Sequence, residues 1–205
     1  MGQSLSTDEN RKQKLLGVAK LLGEEGLGKR LSTLTVHRFQ MLDEQLSELL
    51  EVTPNLGGVD LKSNLLGFAS AKRLSQRPLR ELSLCNNRVG AAGGKALLQG
   101  PHRSRLRVLD LSNNGLNASA LTGATGLESL ESLELGRNPL GLTGIEALTS
   151  LELPRLRHLG LRQTGLTDAG LARLVEWKPF AQLDTLDAAD HELSERGAKR
   201  LASRR

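Results

Sequence analysis

Four histidines and one cysteine, His37, His102, His158, His191 and Cys85, are the side chains of this chain best suited to metal ligation or nucleophilic attack. A bound metal needs ligands at short characteristic spacings or converging from neighbouring elements. None of the histidines has another His or Cys at such a spacing. Cys85 and His158 have the chemistry of a thiol nucleophile and its base, but two copies of a structural repeat lie between them. His37 and His158 are separated by still more, about 24 Å at the usual strand spacing. Gly90-Ala91-Ala92-Gly93-Gly94 is glycine-rich but lacks the Gly-Lys-Ser/Thr ending of a phosphate loop. These observations predict a non-enzymatic protein with no metal and no cofactor. What remains is charge: Asp60, Asp110, Glu134 and Asp187, with Arg107 and Arg162 beside them, a set suited to orienting a protein partner.

The spacing of these charges comes from a repeat. The pattern L-x-x-L-x-L-x-x-N-x-L occurs seven times with substitutions, most clearly as Leu106, Leu109, Leu111, Asn114 and Leu116. Copies start at Leu31, Leu56, Leu79, Leu106, Leu130, Leu156 and Leu183, at intervals of 23 to 27 residues. Each copy opens with a strand such as Leu79-Arg80-Glu81-Leu82-Ser83-Leu84, where alternation turns Leu82 and Leu84 inward and Glu81 and Ser83 outward. Asn64, Asn87, Asn114 and Asn138 follow the strands at a fixed distance. Their amides are expected to form a structural ladder on backbone groups of adjacent coils. Phe39, Thr164 and His191 take this position elsewhere, so the ladder is expected to fail towards the ends.

The second half of each copy has helical periodicity: Val89, Gly93, Leu97; Leu140, Gly144, Leu148; Leu166, Gly170, Leu174. The small residue is expected to let the helix approach the strand layer. The whole pattern resembles the strand-plus-helix subclass of leucine-rich repeats, similar to the ribonuclease-inhibitor and Ran GTPase-activating protein families. That resemblance implies an α/β fold: a right-handed β-α superhelix of about seven repeats, with a parallel concave sheet and helices on the convex side. Residues 31–205 form the repeat domain. Residues 1–30 show no repeat and are read as a capping element, with an amphipathic helix over residues 7–25 burying Leu15, Ala19 and Leu22. At the far end, Leu193, Gly197 and Leu201 would close the core, with Arg196, Lys199, Arg200 and Arg204 outside.

The outward strand positions form columns. The central one reads Thr35, Asp60, Ser83, Asp110, Glu134, Gly160, Asp187, acidic at four positions and basic at none. The next reads His37, Lys62, Cys85, Ser112, Gly136, Arg162, Ala189, and Arg80, Arg107 and Arg157 recur where the strands begin. The expected function is therefore protein binding through the concave face, at Asp60, Asp110, Glu134 and Asp187 with Arg107 and Arg162 at the margins. Residues 31–190 carry 17 Lys/Arg and 17 Asp/Glu, so nucleic acid is not an expected partner. One cysteine, no export signal and no spanning apolar run predict a cytoplasmic monomer.

Two alternatives are open. The fold resemblance admits a regulator of a small GTPase, for which Arg88 or Arg137 could supply transition-state charge in trans. Met1-Gly2-Gln3-Ser4-Leu5-Ser6 matches an N-myristoylation pattern, which admits a host-directed bacterial effector anchored through Gly2.

Overall fold

A computed structural model describes residues 7–24, 26–191, 193–195 and 197. Seven short strands form one parallel sheet in chain order: β1 Thr33–Thr35, β2 Gly58–Asp60, β3 Glu81–Ser83, β4 Val108–Asp110, β5 Ser132–Glu134, β6 His158–Gly160 and β7 Thr185–Asp187. Helices alternate with them: α1 Thr7–Glu24, α2 Asp43–Val52, α3 Phe68–Ser75, α4 Gly90–Leu98, α5 Ala118–Leu121, α6 Gly141–Thr149 and α7 Asp168–Glu176. Each strand pairs only with its neighbours, and each helix packs on the next. The chain is therefore a leucine-rich repeat solenoid.

The strand leucines face the helices. Leu82, Leu84, Leu109, Leu111, Leu133, Leu135, Leu159 and Leu161 are all buried in one continuous core with Leu97, Leu148 and Leu174 of the helices. In α1, Leu15 and Ala19 are buried in that core and Leu22 packs against it, while Leu16, Val18 and Leu21 are exposed. The myristoylation pattern over Met1–Ser6 lies outside the described residues, as do Leu201 and the basic residues Arg196, Lys199, Arg200 and Arg204.

The small helical residue has a different job from the one expected. A Cβ added at Gly93 would sit 2.7 Å from Val89 Cγ1 and 3.1 Å from the Cβ of Ala71 on α3. One added at Gly144 would sit 2.5 Å from Leu140 Cβ. These are side chains of the same coil and of the neighbouring helix, not of the strand layer. The glycine makes room for the hydrophobe four residues before it and for coil-to-coil stacking.

The turn after each strand is equally regular. The residue before the ladder position has positive φ in every repeat: Arg38, Ser63, Asn86, Asn113, Arg137, Gln163 and Asp190. An L-residue pays about 1–2 kcal/mol there relative to the right-handed region, least at Asn, whose short side chain bonds locally. The Asn113 amide donates to Asn86 Oδ1 at 2.7 Å, and the Asn86 amide to Ser63 Oγ at 3.1 Å.

Candidate functional site

Two sets of polar residues were singled out by their repeat positions, and they lie on opposite sides of the sheet. The ladder asparagines are inside. Asn138 is fully buried; its Oδ1 accepts from the Asn114 and Leu116 amides at 3.0 Å each, and its Nδ2 donates to Leu111 O and Leu135 O at 3.0 and 2.8 Å. Asn114 bridges Val89 N, Leu84 O and Leu111 O. Asn87 does the same for Leu66 N, Leu61 O and Leu84 O. Asn64 serves the first repeat, accepting from Phe39 N and Met41 N and donating to Val36 O and Leu61 O.

Towards the far end the ladder is lost at one position and changes form at the next. Thr164 Oγ1 donates to Leu161 O within its own repeat, at 2.7 Å, and has no amide to span coils. His191 Nε2 donates to Leu161 O of the preceding repeat at 2.8 Å. That bond has the coil-to-coil geometry of Asn138 to Leu111, so the expected loss holds at Thr164 and not at His191.

The acidic column is on the open sheet face, in one register: Thr35, Asp60, Ser83, Asp110, Glu134, Gly160 and Asp187 are paired across successive strands. Its members differ electrically. Asp60 meets two partners, His37 Nε2 at 2.9 Å and Lys62 Nζ at 3.5 Å. Asp110 accepts from the Ser112 amide at 3.0 Å and Ser83 Oγ at 3.2 Å, both neutral donors. Asp187 accepts from the Ala189 amide at 3.0 Å. Glu134 is half-buried and holds its carboxyl above the usual range, first because burial disfavours its charge and then because Asp110 and Asp187 repel it; His158 offsets part of this. Gly160 gives it space: a Cβ there would overlap the Glu134 carboxylate. His158 itself meets Thr185 Oγ1 at 2.7 Å.

The two expected marginal arginines are committed elsewhere. Arg107 makes a bidentate pair with Glu131, with contacts of 2.8 to 3.1 Å, and Arg162 pairs with Asp190 at 2.6 Å. Neither neutralises the column. Among the described residues, Asp110, Glu134 and Asp187 thus form the part of the face without a lysine or arginine partner, and Asp60 the compensated part. Glu131 and Asp190 were missed by the sequence reading, although Glu131 occupies the same repeat position as Arg107. The chemical residues stay dispersed. Among the described residues no three His, Cys, Asp or Glu side chains gather as metal ligands, and no helix is long and apolar enough to cross a membrane. Cys85 is half-buried and unbonded to another cysteine; burial, then Asp110, pushes its thiol pKa up, the wrong direction for a nucleophile. Arg88 and Arg137 are exposed beyond the strand ends.

Comparison with known proteins gives concordant results. A family model described as leucine-rich repeat matches residues 77–140. The chain is 32% identical to a protein of the pig, Sus scrofa, named ribonuclease inhibitor, over 229 aligned residues. The match covers 97% of this chain and 50% of that protein, so the chain spans about half the length of its relative.

Proposed function

From the premise that this chain belongs to the leucine-rich repeat proteins of the ribonuclease-inhibitor-like, strand-plus-helix kind, we propose that it is a non-enzymatic module that binds a protein through its open sheet face. The partner presents a basic surface. The setting is cytoplasmic and the module acts as a monomer.

One observation carries this reading: Asp110, Glu134 and Asp187 face solvent from one column, and among the described residues no lysine or arginine is paired to any of them. The column therefore concentrates negative potential on one face of a repeat body whose acidic residues, these included, equal its basic ones. Such a field steers a cationic surface and fixes its orientation. Glu134 adds a specific incentive. Its charge is disfavoured in the free protein, and a cation docking beside it would offset the repulsion from Asp110 and Asp187.

The relative's name says that it inhibits ribonuclease, which makes a ribonuclease the first probe. Titration calorimetry at two salt concentrations should compare the native chain with an Asp110→Asn/Glu134→Gln variant. Neutral isosteres are chosen because both side chains are half-buried. We expect at least tenfold weaker binding and a shallower salt dependence in the variant. Equal affinity of the two proteins for a bound probe would place the contact on another surface.

A further inference from the structure

A second charged feature lies at the edge where the strands begin. An open cleft of about 580 Å³ is lined by Arg80, Ser104, Arg105, Arg107, Ser129 and Arg155, with no acidic residue in its wall. These side chains come from successive coils. Ser104 and Arg105 belong to the 3-10 turn Arg103–Arg105 that precedes β4, and Arg155 occupies the equivalent position before β6. Arg107 is the one arginine of the four with an acidic partner, Glu131. The side chains of Arg80, Arg105 and Arg155 make no hydrogen bond or ion pair within the described residues and are exposed. The backbones of Arg80 and Arg107 are direct neighbours, because Arg80 O accepts from both Arg107 N and Val108 N. Like charges on adjacent strands destabilise a sheet. The Glu131 pair offsets part of that cost at Arg107, and Arg80, Arg105 and Arg155 have no such partner among the described residues.

We propose that this cleft binds a phosphate ester on a peptide, a phosphorylated serine or threonine of a protein partner. The number of donors selects phosphate over carboxylate. A carboxylate carries one charge, which one bidentate guanidinium neutralises, as Arg107 does for Glu131. A phosphate monoester offers three acceptor oxygens and nearly two negative charges, enough for several arginines and the Ser104 and Ser129 hydroxyls together. The planar fork of arginine fits phosphate oxygens in pairs. The cleft has room for residues flanking the ester. Its surroundings select a discrete anion over a nucleic acid strand. The acidic column of Asp110, Glu134 and Asp187 lies on the adjoining sheet face, and Glu128 and Glu152 line the next cleft along the same edge. A polyanion continuing across the sheet face or towards the later coils would meet these carboxylates. The proposal takes from the preceding section only that the partner is a protein; it does not depend on use of the sheet face.

The experiment uses the full chain and fluorescence anisotropy with a degenerate peptide library carrying a central phosphoserine or phosphothreonine, against the same library unphosphorylated. We expect at least tenfold tighter binding of the phosphorylated library, displaced by inorganic phosphate. Arg105→Ala/Arg155→Ala should abolish that preference, while Arg88→Ala/Arg137→Ala and the Asp110→Asn/Glu134→Gln variant keep it. Because the side chains of Arg105 and Arg155 are exposed and make no hydrogen bond or ion pair among the described residues, their variant should melt like the native chain. Independently of any variant, arginine Nε–H resonances of the native protein should shift on addition of inorganic phosphate. Equal binding of the two libraries, an undiminished preference in Arg105→Ala/Arg155→Ala, unshifted arginine resonances, or tighter binding of a single-stranded oligonucleotide would each overturn the proposal.

Discussion

The middle coils and the end coils obey one sequence pattern and reach different degrees of closure. In β3 to β6 the inward residues Leu82, Leu109, Leu133 and Leu159 are buried, whereas their counterparts Leu34 in β1 and Leu186 in β7 are only partly so. The ladder position holds asparagine after β2 to β5 and threonine after β6, and the ends carry Phe39 and His191. The difference follows from one-dimensional stacking. A coil buries its leucines against the coils on both sides, and a terminal coil has only one such neighbour. The stability of each end therefore depends on what the adjoining chain lays over it. At the first end that is α1, which brings Leu15 and Ala19 into the core.

The strongest way to break this comparison is to remove that cover. We propose that residues 1–30 act as a cap on residues 31–205. Deleting residues 1–26 should then cause aggregation and lower the melting temperature of whatever stays soluble. An unchanged melting transition for residues 27–205 would show that the first coil needs no cover. A smaller effect separates the middle from the approach to the far end. Asn138→Ala removes the acceptor of the Asn114 and Leu116 amides and the amide donor to Leu135 O, and leaves Leu111 O with Asn114 Nδ2 alone. By chemical denaturation it should cost about 1–3 kcal/mol, the usual penalty for buried groups left unpaired. Thr164→Ala removes a single bond and should cost less. Equal losses would mean that coil-to-coil bonding contributes nothing beyond the local turn.

The smallest expected effect is electrostatic and of opposite sign. Burial raises the pKa of Glu134 in the folded protein, so folding favours its protonated form. The stability this contributes is complete below the unfolded-state pKa and disappears as pH rises through the folded one. Glu134→Gln, which cannot ionise, should melt slightly higher than the native chain at neutral pH. It should show no advantage at a pH below the ordinary carboxylate range. A gain that persisted in acid would assign the effect to packing over Gly160 instead.

The solenoid was readable because its rules are local. Leucine spacing gives the strands, Gly93, Gly144 and Gly170 with the leucines four residues on give the helix spacing, and columns of one residue per repeat gave the register from Thr35 to Asp187 without error. The pairing of charges was less readable, because a side chain several bonds long can choose among neighbours on either side. Arg107 and Arg162 turn away from the acidic column towards Glu131 and Asp190, and nothing in their repeat positions dictates that choice. The role of Gly93 and Gly144 depends on how coils stack, which a single repeat does not encode. The arginine cleft was legible in part. Arg105, Ser129 and Arg155 each stand immediately before a repeat's first leucine, a column that shows itself when read down the repeats.

The strict pairing of each strand with its successor also sets how this chain can acquire its structure. Joining any two neighbouring strands closes a segment of 23 to 27 residues, the same task at every step. Loop-closure entropy grows only with the logarithm of length, so no step is much harder than another. No strand waits for a segment from the opposite end of the chain. The first pair can form wherever leucines and asparagines are most complete, which is between β3 and β5, and each later coil adds to a finished edge. Folding in this protein is then a zipper that opens its first teeth in the middle and runs outward in both directions, with α1 among the last parts to lock.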